Sequence, residues 1–148
     1  MWVVFLLLLL LVLPLPFFVH AENLGELSAN PFNADSTANP FGAGSPYKSD
    51  GLNNPFSPYG SPYSNQSATN PYATNAPRLY DQQGQYRGKL STNPYDSDST
   101  SNPYGRYGSP FSPDSINNPF GAGNPYSPSS PTNPYDRGLR IEGRERVR

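Results

Sequence analysis

Proline sets the limits on what this chain can fold into. Seventeen of its 19 prolines lie in residues 22–148, and thirteen of those stand second in a triplet of Asn or Ser, Pro and an aromatic residue. Each proline fixes its own φ, donates no hydrogen bond, and pushes the residue before it out of the α region. The side chain of that preceding Asn can accept from a backbone N–H two residues on, making an Asx-turn. Each triplet therefore reads as a local turn that presents a ring. Residues 35–39, 98–102 and 114–118 offer an Asp or Ser that could cap a helix, but only one helical turn fits before the next proline. Neither long helices nor a regular sheet is expected.

The triplets belong to a duplication. Residues 25–56 read GELSANPFNADSTANPFGAGSPYKSDGLNNPF, and residues 88–120 read GKLSTNPYDSDSTSNPYGRYGSPFSPDSINNPF. The two align at an offset of 63 from Gly25/Gly88 to Gly42/Gly105. One extra residue near Arg106 and Tyr107 then makes the offset 64, so that Phe56 matches Phe120. Leu27 pairs with Leu90 and Leu52 with Ile116. Such internal repetition has to be recognised before any fold is assigned. Within the repeats, Asn30 to Asn39, Asn93 to Asn102 and Asn124 to Asn133 are each nine residues apart.

Aliphatic residues are scarce. Residues 22–148 hold nine: Leu24, Leu27, Leu52, Leu79, Leu90, Ile116, Leu139, Ile141 and Val147. Together with all 13 glycines and abundant Ser and Asn, this is the profile of a low-complexity chain that cannot bury enough apolar surface to offset its ordering entropy. The expected fold class is thus a mostly disordered, irregular repeat chain with no packed globular core, preceded by an N-terminal signal helix.

Along the chain, residues 1–21 read as an export signal. An apolar run ends at Pro14 and Pro16, and Val19-His20-Ala21 resembles a cleavage site before Glu22. The alternative is an uncleaved anchor, since Trp2 to Val19 is long enough to span a bilayer. Residues 22–63 are the first repeat block and 64–77 a polar connector. Residues 78–90, RLYDQQGQYRGKL, lack proline and suggest a short β-hairpin with Gly84 closing its turn. Residues 91–135 form the second block. Residues 136–148 are an Arg-rich tail, read as a solvated terminus, in which residues 139–141 could form a short strand.

Several function classes find no support. A net charge of −1 does not favour nucleic acid. There is no cysteine, and the one histidine, His20, lies in the signal, so catalytic residues, a metal site and a cofactor site are all expected to be absent. Asp96-x-Asp98 lacks the Gly and the closing Glu of a calcium loop. Asn65-Gln66-Ser67 is a glycosylation sequon, meaningful only in a eukaryotic secretory route.

The words GKLSTNPYDSDSTSNPYGRYGSP, SINNPFGAGNPY and SPTNPY resemble a group of secreted bacterial Asn-Pro-Tyr-repeat proteins. The resemblance covers most of the chain from Gly25 onward. It implies a periplasmic or extracellular setting and brings no activity with it. The Asn-Pro-Phe triplets at Asn30, Asn39, Asn54 and Asn118 also resemble ligands of EH domains, but an export signal would put them on the wrong side of the membrane.

The expected function is that of an exported repeat protein with a structural or weak multivalent interaction role at the cell envelope or exterior. Its candidate contacts are the rings of Phe32, Phe41, Phe56, Tyr72, Tyr95, Tyr104, Phe120, Tyr126 and Tyr135. The expected partners are envelope polysaccharide or envelope protein, with membrane contact only if the N-terminal segment is retained as an anchor. In that alternative, a tethered chain presents its Asn-Pro-Phe and Asn-Pro-Tyr motifs to a folded partner.

Overall fold

The computed structural model describes residues 19–146, and side chains over residues 21–144. Four strands form one antiparallel sheet: β1 (Val19–Leu27), β2 (Arg78–Tyr80), β3 (Tyr86–Lys89) and β4 (Leu139–Arg146). Their order is β1-β4-β2-β3. No helix occurs among the described residues. The expectation of a disordered chain without a core is therefore overturned, and the expected N-terminal signal helix falls mainly outside the described residues. Val19, His20 and Ala21 lie in β1, and residues 1–18 of the expected signal fall outside the described residues. The expectation of no regular sheet fails with it, and the Arg-rich tail supplies a central strand instead of a solvated terminus.

The sheet is built by exchange between the two copies of the duplication. β1 opens the first copy and pairs with β4, which closes the second. β3 opens the second and pairs with β2, which closes the first. At the centre, Leu79 faces Ile141, flanked by Arg78↔Glu142 and Tyr80↔Arg140. Swapping Leu79 with Ile141 and their neighbours maps this pairing onto itself, a pseudo-twofold relation. The outer pairs obey it too. Glu26↔Arg140 answers Arg78↔Lys89, and Asn23↔Glu142 answers Tyr80↔Tyr86, with a register shift at the same place in each. Gly25 and Gly88 follow those shifts with φ of 106° and 92°. Glycine carries that φ without steric cost. The hairpin turn at residues 81–84 is closed by the Gly84 N–H donating to the Asp81 carbonyl at 3.0 Å, with Gly84 at φ 80°.

Between the strands each copy winds into a chain of linked turns with a period of three. Ser36 N–H donates to the Asn33 carbonyl, Asn39 to Ser36, Gly42 to Asn39 and Ser45 to Gly42. The second copy repeats the ladder from Ser99 to Asn133, each donor reaching a carbonyl three residues back save at one slip. No described residue except glycine has positive φ, which excludes type II turns and fits proline at the second position of a type I turn. The nine-residue spacings in the sequence are three such turns. Each ladder slips once. Ser61 donates to Ser57 and Ser109 to Gly105, four residues back, so Gly60 and Gly108 are the extra residues.

The corner residues of the ladder face inward. Ser36, Ser57, Ser67, Ser99, Ser115 and Ser130 are fully buried. Ser36 Oγ donates to the Ser28 carbonyl and Ser99 Oγ to that of Ser91, both at 3.1 Å. Corner asparagines do two jobs. Asn39 Oδ1 accepts from the Phe41 N–H, while its Nδ2 donates to the Asn33 carbonyl six residues back. Asn54, Asn70, Asn102, Asn118 and Asn133 repeat both bonds. Among the described residues every buried side-chain nitrogen and oxygen has a partner.

Under the ladders the scarce aliphatics converge. Leu24, Leu52, Leu79, Leu139 and Ile141 are buried with Tyr59 and Ala68, and Leu27, Leu90 and Ile116 pack against them. Eight of the nine aliphatics thus reach one cluster, and the ninth, Val147, lies outside the described residues. Few apolar groups suffice because they meet at one place, and because Asn and Ser side chains satisfy a backbone that sheet and helix ladders would otherwise have to satisfy. Proline also stiffens the unfolded chain and lowers the entropy that folding must overcome.

Candidate binding surface

In twelve of the thirteen triplet turns the aromatic at the third position points outward, which decides where the rings go. All nine rings singled out from the sequence are exposed: Phe32, Phe41, Phe56, Tyr72, Tyr95, Tyr104, Phe120, Tyr126 and Tyr135. Tyr47, Tyr63 and Phe111 join them from Ser-Pro-aromatic triplets, giving twelve rings between 86% and 96% exposed. These three were missed because the selection kept to asparagine. The serine corner does the same work, since Ser45 Oγ accepts from the Tyr47 N–H at 3.2 Å and Ser109 Oγ from the Phe111 N–H at 3.2 Å.

The structure does not gather the twelve into one pocket. Ring-to-ring contacts among the described residues are Tyr80 with Tyr86 and Tyr86 with Tyr107, and none involves the twelve. The exposed rings are therefore not spent on packing against one another. Aromatic side chains usually contribute to a core through the large area they bury. Here that contribution is absent, while the backbone beneath each ring is fixed by its own Asn or Ser.

Tyr59 is the exception among the thirteen rings that follow proline. It is buried, packs against Gly143 of β4, and donates from its hydroxyl to Glu22 at 2.8 Å. Tyr107 of the second copy is a second inward ring, though it does not follow proline, and is buried over Gly88 of β3. Each stands immediately before a slip in the ladder, at Gly60 and at Gly108, and the slip accompanies the inward turn of the ring.

The charged groups are mostly committed to structure. Arg87 holds Asp81 through Nε and Nη2, and reaches Asp114 with Nη1 at 3.1 Å. Burial opposes the charge on Asp81, but the Gln85 N–H and the Arg87 guanidinium more than reverse this and hold its pKa below the usual carboxylate range. Asp96 is likewise held low against burial, by the Asp98 N–H and by Lys89. Burial pushes the Tyr86 hydroxyl up, and its hydrogen bond to Asp98 pushes it further. Asp96 and Asp98, which suggested part of a calcium loop, thus carry a salt bridge and a tyrosine hydrogen bond. Among the described residues no group of three His, Cys, Asp or Glu side chains is placed to hold a metal ion. No described helix is long and apolar enough to cross a membrane. An open groove of about 540 Å³ lies between the β1 segment at residues 23–25 and the turns bearing Phe41 and Tyr47.

No family model, no curated protein and no solved structure matches this chain.

Proposed function

We propose that this chain is a rigid multivalent binding scaffold that presents aromatic rings outside the cytosol, at the cell envelope or beyond it. The observation that carries the reading is the exposure of twelve post-proline rings on turns whose backbone is pinned by Asn and Ser side chains. A ring held ready loses little entropy on binding, and many weak contacts on one body add through linkage. Flat aromatic faces suit the apolar faces of sugar rings, so envelope polysaccharide is the partner class put first, and envelope protein second. The setting rests on the apolar leader-like run in residues 1–18.

The test compares the full chain with a variant in which all twelve exposed rings are Ala. Because these rings bury almost nothing, the variant is expected to keep its cooperative melt. Immobilised beside the parent, it should lose capture of insoluble envelope polysaccharide. Equal capture by two folded proteins would end the proposal.

A further inference from the structure

The pseudo-twofold relation shows what the groove beside β1 is shaped to take. In the second copy, Tyr86 and Tyr107 pack edge to face with ring centroids 5.6 Å apart, and the Tyr86 hydroxyl donates to Asp98 at 3.0 Å. Tyr107 lies over Gly88, whose missing Cβ leaves room for it. The first copy keeps the same backbone frame. Gly25 stands for Gly88, and Glu26 N–H donates to the Asp35 carbonyl as Lys89 N–H does to that of Asp98. Asn53 Nδ2 donates to the carbonyls of Thr37 and Gly44, as Asn117 Nδ2 does to those of Thr100 and Gly108. But Asn23 stands where the second copy has Tyr86, and Ala43 where it has Tyr107. Two rings are missing from a frame that elsewhere holds them, and the open groove lies there, lined by Asn23, Gly25, Asp35 and Ala43 and edged by Phe41 and Tyr47. Asp35, the counterpart of Asp98, is exposed, and its carboxylate has no partner among the described residues.

We infer that this groove takes a tyrosine side chain from outside, and that the donor is an Asn-Pro-Tyr turn of a second copy of this chain. The second copy of the duplication supplies the chemistry: a phenol ring in the place that Tyr86 fills there, beside Asn23 and above Ala43, its hydroxyl donating to Asp35 as that of Tyr86 does to Asp98. The surface supplies the ligand, since Tyr72, Tyr95, Tyr104, Tyr126 and Tyr135 each stand on such a turn and are 86–95% exposed. A groove on one molecule meeting a turn on another is a head-to-tail contact, which extends into chains unless its rotation closes a ring. The inference rests on the ring-display reading only for the identity of the incoming side chain.

The test uses the full chain and two measurements. First, amide signals of Gly25, Gly42, Ala43 and Gly44 are followed during titration with Ac-Asn-Pro-Tyr-NH2, Ac-Asn-Pro-Phe-NH2 and Ac-Asn-Pro-Leu-NH2. Saturable shifts are expected with the tyrosine peptide and much weaker ones with leucine. Asp35→Asn should weaken the tyrosine peptide about tenfold and leave the phenylalanine peptide unchanged. Ala43→Tyr, which refills the groove from within, should abolish binding; Asp35→Asn keeps the test decisive if that variant does not fold. Second, sedimentation should show association that rises with concentration and is reduced by Asp35→Asn. Equal response to all three peptides, or a wild-type protein that stays monomeric at millimolar concentration, overturns the inference. Peptide binding reads the groove alone, so its failure is distinct from loss of polysaccharide capture by the ring-free variant.

Discussion

Leu79 and Ile141 lie directly opposite each other in the central β2–β4 pair, and both are fully buried. Each is the other's counterpart under the relation that exchanges the two copies. A chain with so few aliphatics has no reserve around this contact. Leu79→Ala and Ile141→Ala are each expected to cost about 2–5 kcal/mol. The two costs should be similar, because the sites are equivalent. Urea denaturation of both variants checks this, and a loss below about 1 kcal/mol at either site would deny the pair its central place.

Glycines at the two register shifts should be far less replaceable than the one in the hairpin turn. A Cβ on Gly25 would lie 2.6 Å from the Asp35 carbonyl oxygen, and one on Gly88 2.7 Å from that of Asp98. A Cβ on Gly84 would meet nothing within 4 Å. All three have positive φ, so Gly84→Ala is expected to cost about 1 kcal/mol from backbone strain alone. Gly25→Ala and Gly88→Ala add a clash with backbone and should cost at least about 2 kcal/mol more. Thermal melts of the three variants decide the order.

Corner and ring within one triplet should behave oppositely. Asn118→Ala removes the acceptor for the Phe120 N–H and the donor to the Ser112 carbonyl, at a nearly buried site. Its expected cost is about 1–3 kcal/mol. Phe120 is 95% exposed, and Phe120→Ala should stay within about 0.5 kcal/mol of the parent. Matched denaturation curves test the contrast that the proposed function depends on.

Stability should fall at both ends of the pH scale for separate reasons. Asp81 and Asp96 have pKa values below 3.8 in the folded chain. Between the folded and unfolded values the unfolded chain binds more protons, so stability rises with pH there. Their contribution is complete above about pH 5 and is lost as the pH drops below about 4. Tyr86 is raised above the ordinary tyrosine value of 10.0, so its contribution is complete below that pH and is lost as the pH climbs beyond it. Melting temperature against pH should show both declines. Asp81→Asn should flatten the acid side, and Tyr86→Phe the alkaline side.

Local chemistry was legible in the sequence because it acts over two or three residues. The Asx-turns at Asn39, Asn54, Asn102 and Asn118 follow from proline's fixed φ and the reach of an Asn side chain, and they formed as that reasoning requires. The hairpin between Tyr80 and Tyr86 was legible for the same reason, from Gly84 at the end of a four-residue turn. The duplication was visible residue by residue, and the nine-residue spacings already carried the three-residue period without declaring it.

Compactness was not legible, because it depends on where residues meet and not on how many there are. Leu24, Leu79, Leu139 and Ile141 are spread over more than a hundred positions, and only the exchange of strands between the two copies brings them into one cluster. The same exchange turns the Arg-rich tail into a central strand. Nor does the sequence distinguish Tyr59 from the twelve rings that share its grammar, since what turns it inward is the bare backbone of Gly143, 84 residues away along the chain. Proline, asparagine and serine determined by themselves that this chain would be made of turns bearing rings. Whether those turns stayed loose or stacked on a core was decided only in three dimensions, where six-residue side-chain bonds and one buried aliphatic contact act together.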